Sequence, residues 1–230
     1  PASYTLRRAS IPIPPKSPRD VVNAFEAAIT DRTRLVLCSH VTTGTGLIAP
    51  VKALADLAHA HGALIAIDGA HAPGMIPLDL RAYGCDFYGG NCHKWLCSPK
   101  GVGFLHAAPE MQERMKHLVV GWGYSKSGTT KDCDGRPLIN GKPYMWGIEQ
   151  WGTVSLSEQA ATSAAVRFQA DLGAERIAQR GRQLAGYLRR RMAEFDGAEL
   201  RSPTHLEMTG SISTFRLSGW GEMDLSKALR

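Results

Sequence analysis

The chain has 230 residues and a net formal charge of +6, and 43% of its residues are hydrophobic while 21% are charged. This length suffices for one large domain, or for a domain and part of another, and the composition is ordinary for a globular protein. No apolar run reaches the roughly 18 residues that a membrane-spanning helix needs, and residues 1–5 do not begin a signal peptide; we therefore expect no membrane contact.

The first part of the chain alternates predicted strands and helices. Residues 4–13 predict a strand, and a helix follows from Ser17, whose side chain suits an N-cap position. Arg34–Cys38 carries a Leu-Val-Leu core, which is typical of a buried parallel strand. Pro50 begins a second predicted helix, and Gly62 ends it.

Two further predicted strands carry polar residues at or beyond their ends. Ala63–Ile67 is an apolar run with Asp68 at its C-terminal end, and Cys85–Tyr88 is followed by a glycine pair and then by Lys94. The order strand, helix, strand, helix, strand predicts a parallel sheet with helices on its faces. Gly101–Leu105 predicts one more strand.

The second part of the chain has a different pattern. Residues 119–150 are rich in Gly, Trp, Tyr and Lys without periodicity, as in functional or mobile segments. From Ser155 onward the pattern is helical, and it is followed by a predicted strand at Gly210–Leu217 and the start of a helix at Met223–Arg230. One face of this helix is predicted to carry the apolar residues Leu184, Leu188 and Met192. The arginines are predicted to lie on the opposite face.

The positive charge is concentrated in the helical region. Glutamate and glutamine interrupt the arginines there, so we favour a solvated helix face over a nucleic-acid surface. We therefore expect no nucleic-acid partner. The arginines are Arg176, Arg180, Arg182, Arg189, Arg190 and Arg191.

The five cysteines are odd in number and have no spacing typical of a disulfide framework. They predict reduced thiols in a cytoplasmic protein. Cys92, His93 and Cys97 resemble part of a zinc site, but no second pair at ligand spacing accompanies them, so we predict no metal.

Asp68 and Lys94 each lie beyond the end of an apolar strand run. Ligands of open α/β sheets bind outside the carboxyl ends of the strands, so both side chains can reach one crevice. A carboxylate and an amine in one crevice suit pyridoxal phosphate. The amine forms an imine with the cofactor, and the acid keeps the pyridine nitrogen protonated so that the ring acts as an electron sink.

The sequence resembles the class V aminotransferases of the fold type I pyridoxal-phosphate enzymes, in particular the isopenicillin N epimerase-like branch related to the cysteine desulfurases. The resemblance covers most of residues 4–160. It implies an α/β fold, with a large domain built on a mainly parallel sheet with helices on both faces, and the start of an α+β small domain. The matching motifs are Ser39–Gly46, Asp68–Gly74, Asn91–Gly101 and Trp151–Thr153.

The resemblance implies three catalytic residues. Lys94 would hold the cofactor as an internal aldimine and move protons at the substrate α-carbon. Asp68 would pair with the pyridinium nitrogen, which offsets the cost of burying a carboxylate. His71 would donate a hydrogen bond to the phenolic oxygen of the ring. The plainer alternatives are a surface lysine, an aspartate that caps a helix and a structural histidine.

The resemblance also implies further contacts to the cofactor. His93 and Asn91 would lie near the phosphate, for which imidazole and amide donors are suited. Thr43, or Thr42, would lie beside the ring oxygen. Thr153, after Gly152, would reach the phosphate of the neighbouring subunit, which implies a homodimer.

Two parts of the family pattern lie outside this chain: the phosphate-binding loop at a helix N-terminus and the arginine that binds the substrate carboxylate. Arg216 does not match that arginine's motif, and residue 1 is not methionine. We therefore expect a fragment, in which residues 1–155 form most of the large domain and residues 156–230 form linking helices and the beginning of the small domain.

The sequence thus predicts a pyridoxal-phosphate enzyme that acts at the α-carbon of an amino acid. Epimerisation, transamination and elimination of the C–S lyase type all remain open. The alternative is a truncated, catalytically incompetent relative with a role in dimerisation or regulation. Cysteine desulfuration ranks lower, because none of the five cysteines lies in the expected context.

Overall fold

The computed structural model describes residues 4–116, 118–119, 129–131, 133, 137–139, 142–143, 148 and 152–228. Its strands are β1 (Leu35–Ser39), β2 (Leu64–Asp68), β3 (Phe87–Asn91), β4 (Gly103–Ala107), β5 (Thr129–Lys131), β6 (Pro137–Ile139), β7 (Lys142–Pro143), β8 (Ala198–Leu200) and β9 (Phe215–Leu217). Its helices are α1 (Pro18–Ala28), α2 (Val51–Ala60), α3 (Leu80–Tyr83), α4 (Pro109–Gln112), α5 (Leu156–Leu172), α6 (Ala174–Met192) and α7 (Glu222–Ala228).

The main sheet has the order β1-β2-β3-β4. β1, β2 and β3 run parallel, as the alternating pattern predicts, whereas β4 runs antiparallel to β3. Because the three parallel strands end at the same edge, the register places Ser39 beside Asp68 and Asp68 beside Gly89. The parallel α/β prediction is therefore confirmed, and Asp68 lies at this edge.

One face of this sheet packs against α2 and α1 through a shared apolar core that includes Val36, Leu54, Ile65 and Tyr88. The opposite face of β1 is open: Leu35 is 54% exposed and Leu37 is 68% exposed. The prediction that β1 is buried on both faces is therefore wrong. The Leu-Val-Leu run is apolar throughout, but only its central residue faces the helices.

The helix predicted from Ser17 is confirmed as α1. The Asp20 carboxylate accepts hydrogen bonds from the backbone N–H groups of Lys16 and Ser17, which satisfies donors that a helix start leaves without partners. The second predicted helix is confirmed as α2. Gly62 follows it with φ of +67°, a conformation that glycine adopts at little cost.

Two local predictions in the first part are wrong. Residues 4–13 form no strand; Tyr4 is 93% exposed and Leu6 is 82% exposed, so this apolar segment does not join the sheet. The glycine pair after Cys85–Tyr88 lies inside β3 instead of following it. A side chain on Gly90 would overlap the Phe104 ring of β4, which explains a glycine at that position of the strand.

In the second part, β8 and β9 form an antiparallel pair, and β9 and α7 confirm the strand and helix predicted near the end. The apolar face predicted for α6 is wrong, because Leu184 and Leu188 are exposed whereas Ala178 and Ala185 are buried. Arg189 shares the inner side and donates hydrogen bonds to the carbonyl oxygens of two residues and to one hydroxyl: Pro203, Ile212 and Ser213.

The strands β5, β6 and β7 lie within the segment predicted to be irregular, and they pair antiparallel. Most of the remaining positions between 119 and 150 lie outside the described residues, as does Trp151. All five cysteines are free thiols, as predicted. Among the helices described, none combines the length and the apolar character that crossing a bilayer requires.

Candidate functional site

The site lies at the edge where β1, β2 and β3 end. Asp68 is the last residue of β2, and its side chain is exposed. The backbone N–H of Ala70 donates to the Asp68 carboxylate at 2.9 Å, which fixes one of its oxygens. The carboxylate is therefore oriented without being neutralised by a salt bridge among the described residues.

His71 joins three other side chains of the site. Its Nε2 lies 2.8 Å from Thr43 Oγ1 and 3.2 Å from Lys94 Nζ. The indole N–H of Trp95 donates to its Nδ1 at 3.2 Å. The loops after β1, β2 and β3 thus meet at one imidazole, and they bring together three of the residues that the sequence predicts for the site.

Burial and two nearby charges act on the pKa of His71. Partial burial lowers the pKa of His71, the positive charge of Lys94 lowers it further, and the negative charge of Asp68 opposes both effects. Asp68 also acts on the other side of its strand: burial and the Asp68 charge raise the pKa of the Cys38 thiol to about 12. Lys94 and Asp68 are therefore close enough to influence the same imidazole.

A buried aromatic residue supports the turn after Asp68. A side chain on Gly69 would overlap the Tyr88 ring, so the turn lies directly on this ring. The hydroxyl of Tyr88 lies 2.8 Å from His40 Nδ1, and both residues are buried. Burial raises the pKa of Tyr88 and lowers that of His40 to about 4, so both are neutral near pH 7.

The loop that carries Lys94 is held from two sides. A side chain on Gly74, which has φ of +82°, would overlap the backbone of Trp95 and Leu96. From α5, Gln169 Nε2 donates to the Trp95 carbonyl oxygen at 3.0 Å. These contacts fix the position of the loop relative to the turn that carries His71.

The remaining predicted residues are less closely connected. Asn91 ends β3 and is half-buried, whereas His93 and Thr153 are exposed. Among the described residues, neither His93 nor Thr153 forms a hydrogen bond to Asp68, His71 or Lys94. Thr153 precedes α5 and follows Gly152, whose φ is +127°.

Sequence reasoning missed three residues of this arrangement, namely Trp95, Tyr88 and His40. Trp95 and His40 both lie inside motifs that drew attention, but the atoms they contact belong to other loops and strands. Tyr88 looks like an ordinary apolar residue of a strand. A signal was available in Gly69, since a glycine directly after a strand-end acid indicates close approach by another group.

The donor set fits pyridoxal phosphate. An amine, an imidazole and a carboxylate that is free of salt bridges with described residues surround one crevice, and a protonated pyridine nitrogen is a suitable cationic partner for such a carboxylate. Lys94 would carry the cofactor, and Asp68 would hold its ring nitrogen.

The fold and this site define the chain as a fold type I pyridoxal-phosphate protein. Its structure is similar to that of a C-DES mutant with glycine covalently linked to the PLP cofactor, with a TM-score of 0.74 and 21% sequence identity over 90% of this chain and 54% of that chain. The family model for aminotransferase class-V matches residues 7–230, and the chain belongs to this family. The predicted family, fold class and cofactor are therefore confirmed.

The curated relatives include both isopenicillin N epimerases and cysteine desulfurases. The chain is 39% identical to the isopenicillin N epimerase of Amycolatopsis lactamdurans over 92% of this chain and 53% of the relative. It is 29% identical to a probable cysteine desulfurase of Halalkalibacterium halodurans over 90% of this chain and 48% of the relative. The chain thus spans about half the length of the curated relatives it matches.

Proposed function

We propose that this chain supplies the lysine-bearing half of the active site in a pyridoxal-phosphate enzyme that acts at the α-carbon of an amino acid. The observation that carries the proposal is the contact of 3.2 Å between Lys94 Nζ and His71 Nε2 beside the Asp68 carboxylate. Three groups with different proton affinities lie at one sheet edge, where substrates of open α/β folds bind.

Each residue has a separate task in this proposal. Lys94 binds the cofactor and, when released from it, takes a proton from the substrate α-carbon. Asp68 holds the pyridine nitrogen in its protonated form, and His71 donates a hydrogen bond from Nε2 within the site. Bound pyridoxal phosphate supplies the electron sink for the carbanion that the substrate forms. Thr43, Asn91 and His93 contribute polar contacts to the bound cofactor.

Epimerisation is the first reaction to test, because the relative at 39% identity is named an isopenicillin N epimerase. Transamination and C–S or β-elimination begin with loss of the same α-carbon proton. They are the reactions to test after epimerisation. Desulfuration requires a nucleophilic thiolate. Cys38, Cys85 and Cys92 are buried, and burial raises the pKa of all three, which makes them poor candidates.

We further propose that the enzyme is a homodimer in which Thr153 contacts the cofactor of the neighbouring subunit. Thr153 is exposed and lies far along the chain from Lys94, immediately before α5. Its hydroxyl is therefore available to a second molecule. A Thr153→Val enzyme tests this role, because it should bind pyridoxal phosphate more weakly while its Lys94 still forms the covalent link.

The experiment that tests the function locates the cofactor on the chain. The full-length protein is incubated with pyridoxal phosphate, its visible absorption is recorded, and borohydride reduction is followed by peptide mass spectrometry. We expect the reduced cofactor on Lys94. Lys94→Ala should lose both the visible band and the modified peptide, because no other amine lies beside His71 among the described residues.

Lys100 offers a matched control, since it is an exposed lysine of the same loop. Lys100→Ala should keep the band and the label on Lys94. A modified residue other than Lys94 would contradict the assignment. A protein that takes up no cofactor at all would favour the non-catalytic role in dimerisation or regulation.

A further inference from the structure

Trp95 contacts the one nitrogen of His71 that faces away from Lys94. Its indole Nε1–H donates to His71 Nδ1 at 3.2 Å. An indole N–H can only donate a hydrogen bond, so the nitrogen that receives it must present a lone pair. The contact therefore requires a His71 ring without a proton on Nδ1.

This requirement determines the state of the whole ring. Imidazolium carries a proton on both nitrogens, and it would direct an N–H of Nδ1 against the N–H of the indole. A neutral ring with a bare Nδ1 must carry its proton on Nε2. That proton points to Thr43 Oγ1 at 2.8 Å, where the hydroxyl oxygen can accept it, and Lys94 Nζ lies 3.2 Å from the same nitrogen.

We infer that Trp95 is a positioning residue that holds His71 as the neutral tautomer with its proton on Nε2, on the side of the ring that faces Thr43 and Lys94. The catalytic meaning of this state rests on the proposed function, in which His71 donates a hydrogen bond from Nε2 within the site. The state itself is a property of the chain and does not depend on the reaction.

The backbone of Trp95 is held from two sides, and its side chain is partly buried, which suits a fixed donor. Gly74 contacts the backbone at Trp95 so closely that no side chain fits, and Gln169 holds the Trp95 carbonyl oxygen from α5 at 3.0 Å. The ring itself is half-buried against the apolar core. The backbone that carries the indole is therefore held in place beside His71.

Together, burial and the charged groups near His71 disfavour its protonated form. Lys94 and partial burial disfavour the imidazolium, and Asp68 favours it. Thr43 and Trp95 are the uncharged contacts from the loops after β1 and β3. Trp95 thus adds a directional restraint on one nitrogen to an electrostatic balance that leaves the tautomer undetermined.

Nitrogen NMR of the full-length protein, labelled with 15N at histidine, tests this inference. The His71 signals are assigned by their loss in His71→Gln. We expect Nδ1 of the unsubstituted protein to give the signal of a bare nitrogen and Nε2 that of a protonated one at neutral pH. A protonated Nδ1 at neutral pH would overturn the inference whether or not any variant folds.

Trp95→Phe removes the donor and keeps an aromatic ring. Loss of one hydrogen bond should raise the proton affinity of His71 roughly fivefold, because Nδ1 becomes free to bind a proton. Trp220→Phe is the control, since Trp220 lies beyond β9, and it should leave the His71 titration unchanged. An unchanged titration in Trp95→Phe would contradict the role of the indole.

The measurement is made with and without added pyridoxal phosphate. If the bare Nδ1 is found but no cofactor binds, the positioning role stands and the proposed function fails. If the cofactor binds Lys94 while Nδ1 is protonated, the function stands and the inference about Trp95 fails.

Discussion

His40 shows how a buried titratable residue couples the site to pH. Its side chain lies between β1 and β3 and shares a hydrogen bond with the hydroxyl of Tyr88, on which the turn after Asp68 lies. Burial lowers the pKa of His40 from 6.5 to about 4. The native protein therefore excludes a proton that the unfolded chain accepts.

We predict that acid weakens the fold through His40. Because the pKa is lower in the folded state, the unfolded chain binds more protons between about pH 6.5 and pH 4, and stability falls as pH falls through this window. The shift corresponds to about 2 to 3 kcal/mol between pH 7 and pH 4.5. Urea unfolding at the two pH values measures it.

His40→Gln should reduce this pH dependence by most of that amount, since glutamine can still reach a hydrogen-bonding partner but does not titrate. His61→Gln changes an exposed histidine just after α2 and is the matched control. Equal pH dependence in the protein and in His40→Gln would show that His40 is not the coupled group.

The three elements β2, β3 and α2 are joined at the far end of the sheet by a single carboxylate. Asp86 directly precedes β3 and is buried; its Oδ2 accepts from the backbone N–H of Ile65 at 2.7 Å and from His59 Nε2 at 2.9 Å. The backbone N–H of Asp86 donates to the Ile65 carbonyl oxygen, and the Asp86 carbonyl oxygen accepts from the backbone N–H of Ala108. Asp86 therefore helps to set the register of β2 on β3.

We predict that Asp86→Ala lowers the free energy of unfolding by about 1–3 kcal/mol, because it leaves the buried N–H of Ile65 without an acceptor. Asp86→Asn retains an oxygen that can accept this bond and should cost less. Asp56→Ala removes an exposed carboxylate that pairs with Lys52 and should change stability by less than about 1 kcal/mol. Chemical denaturation of the three variants provides the comparison.

The elements also show what could be predicted from the sequence. α1, α2 and β2 carry local signals, namely an N-cap, a terminating glycine and a short apolar run, and the predictions for them are confirmed. The burial of α6 has no such signal. Its inner face combines alanines with Arg189, whose partners come from the segment before β9. Helical periodicity alone therefore selected the larger apolar residues, which are exposed.

The candidate site divides in the same way. Asp68 and Lys94 were predicted together because the carboxyl ends of parallel strands meet at one edge, whereas His71 was predicted from the resemblance to the family. The contact between Trp95 and His71 was not predicted, because it depends on how closely Gly74 lets two loops approach each other. The tautomer of a histidine follows from its neighbours in space, and these are not adjacent in sequence.

At the scale of the whole molecule, the sheet has one covered and one open face. Leu35, Leu37 and Leu105 are 54%, 68% and 55% exposed, and β1 lies at an edge of the described sheet. An apolar sheet face of this kind favours association, as do unpaired edges. The division of the chain at residue 155 into two domains stays a prediction.

We predict that the isolated 230-residue chain self-associates through this face. Leu37→Lys should reduce the association, because it places a charge on the open apolar face. Ala27→Lys adds the same charge on an exposed position of α1 and should have little effect. Light scattering coupled to gel filtration, at several protein concentrations, measures the difference. Equal association of the two variants would show that the chain associates through a different surface.

The contact between Gly69 and Tyr88 has a consequence for how this sequence can vary. The two positions share a space that holds either a glycine and a large ring or a side chain and something smaller. Substitutions there should therefore occur in pairs among descendants of this chain, and a lone alanine at position 69 should be rare. Evolutionary change at the turn after Asp68 is thus constrained by the buried tyrosine ring on which the turn lies.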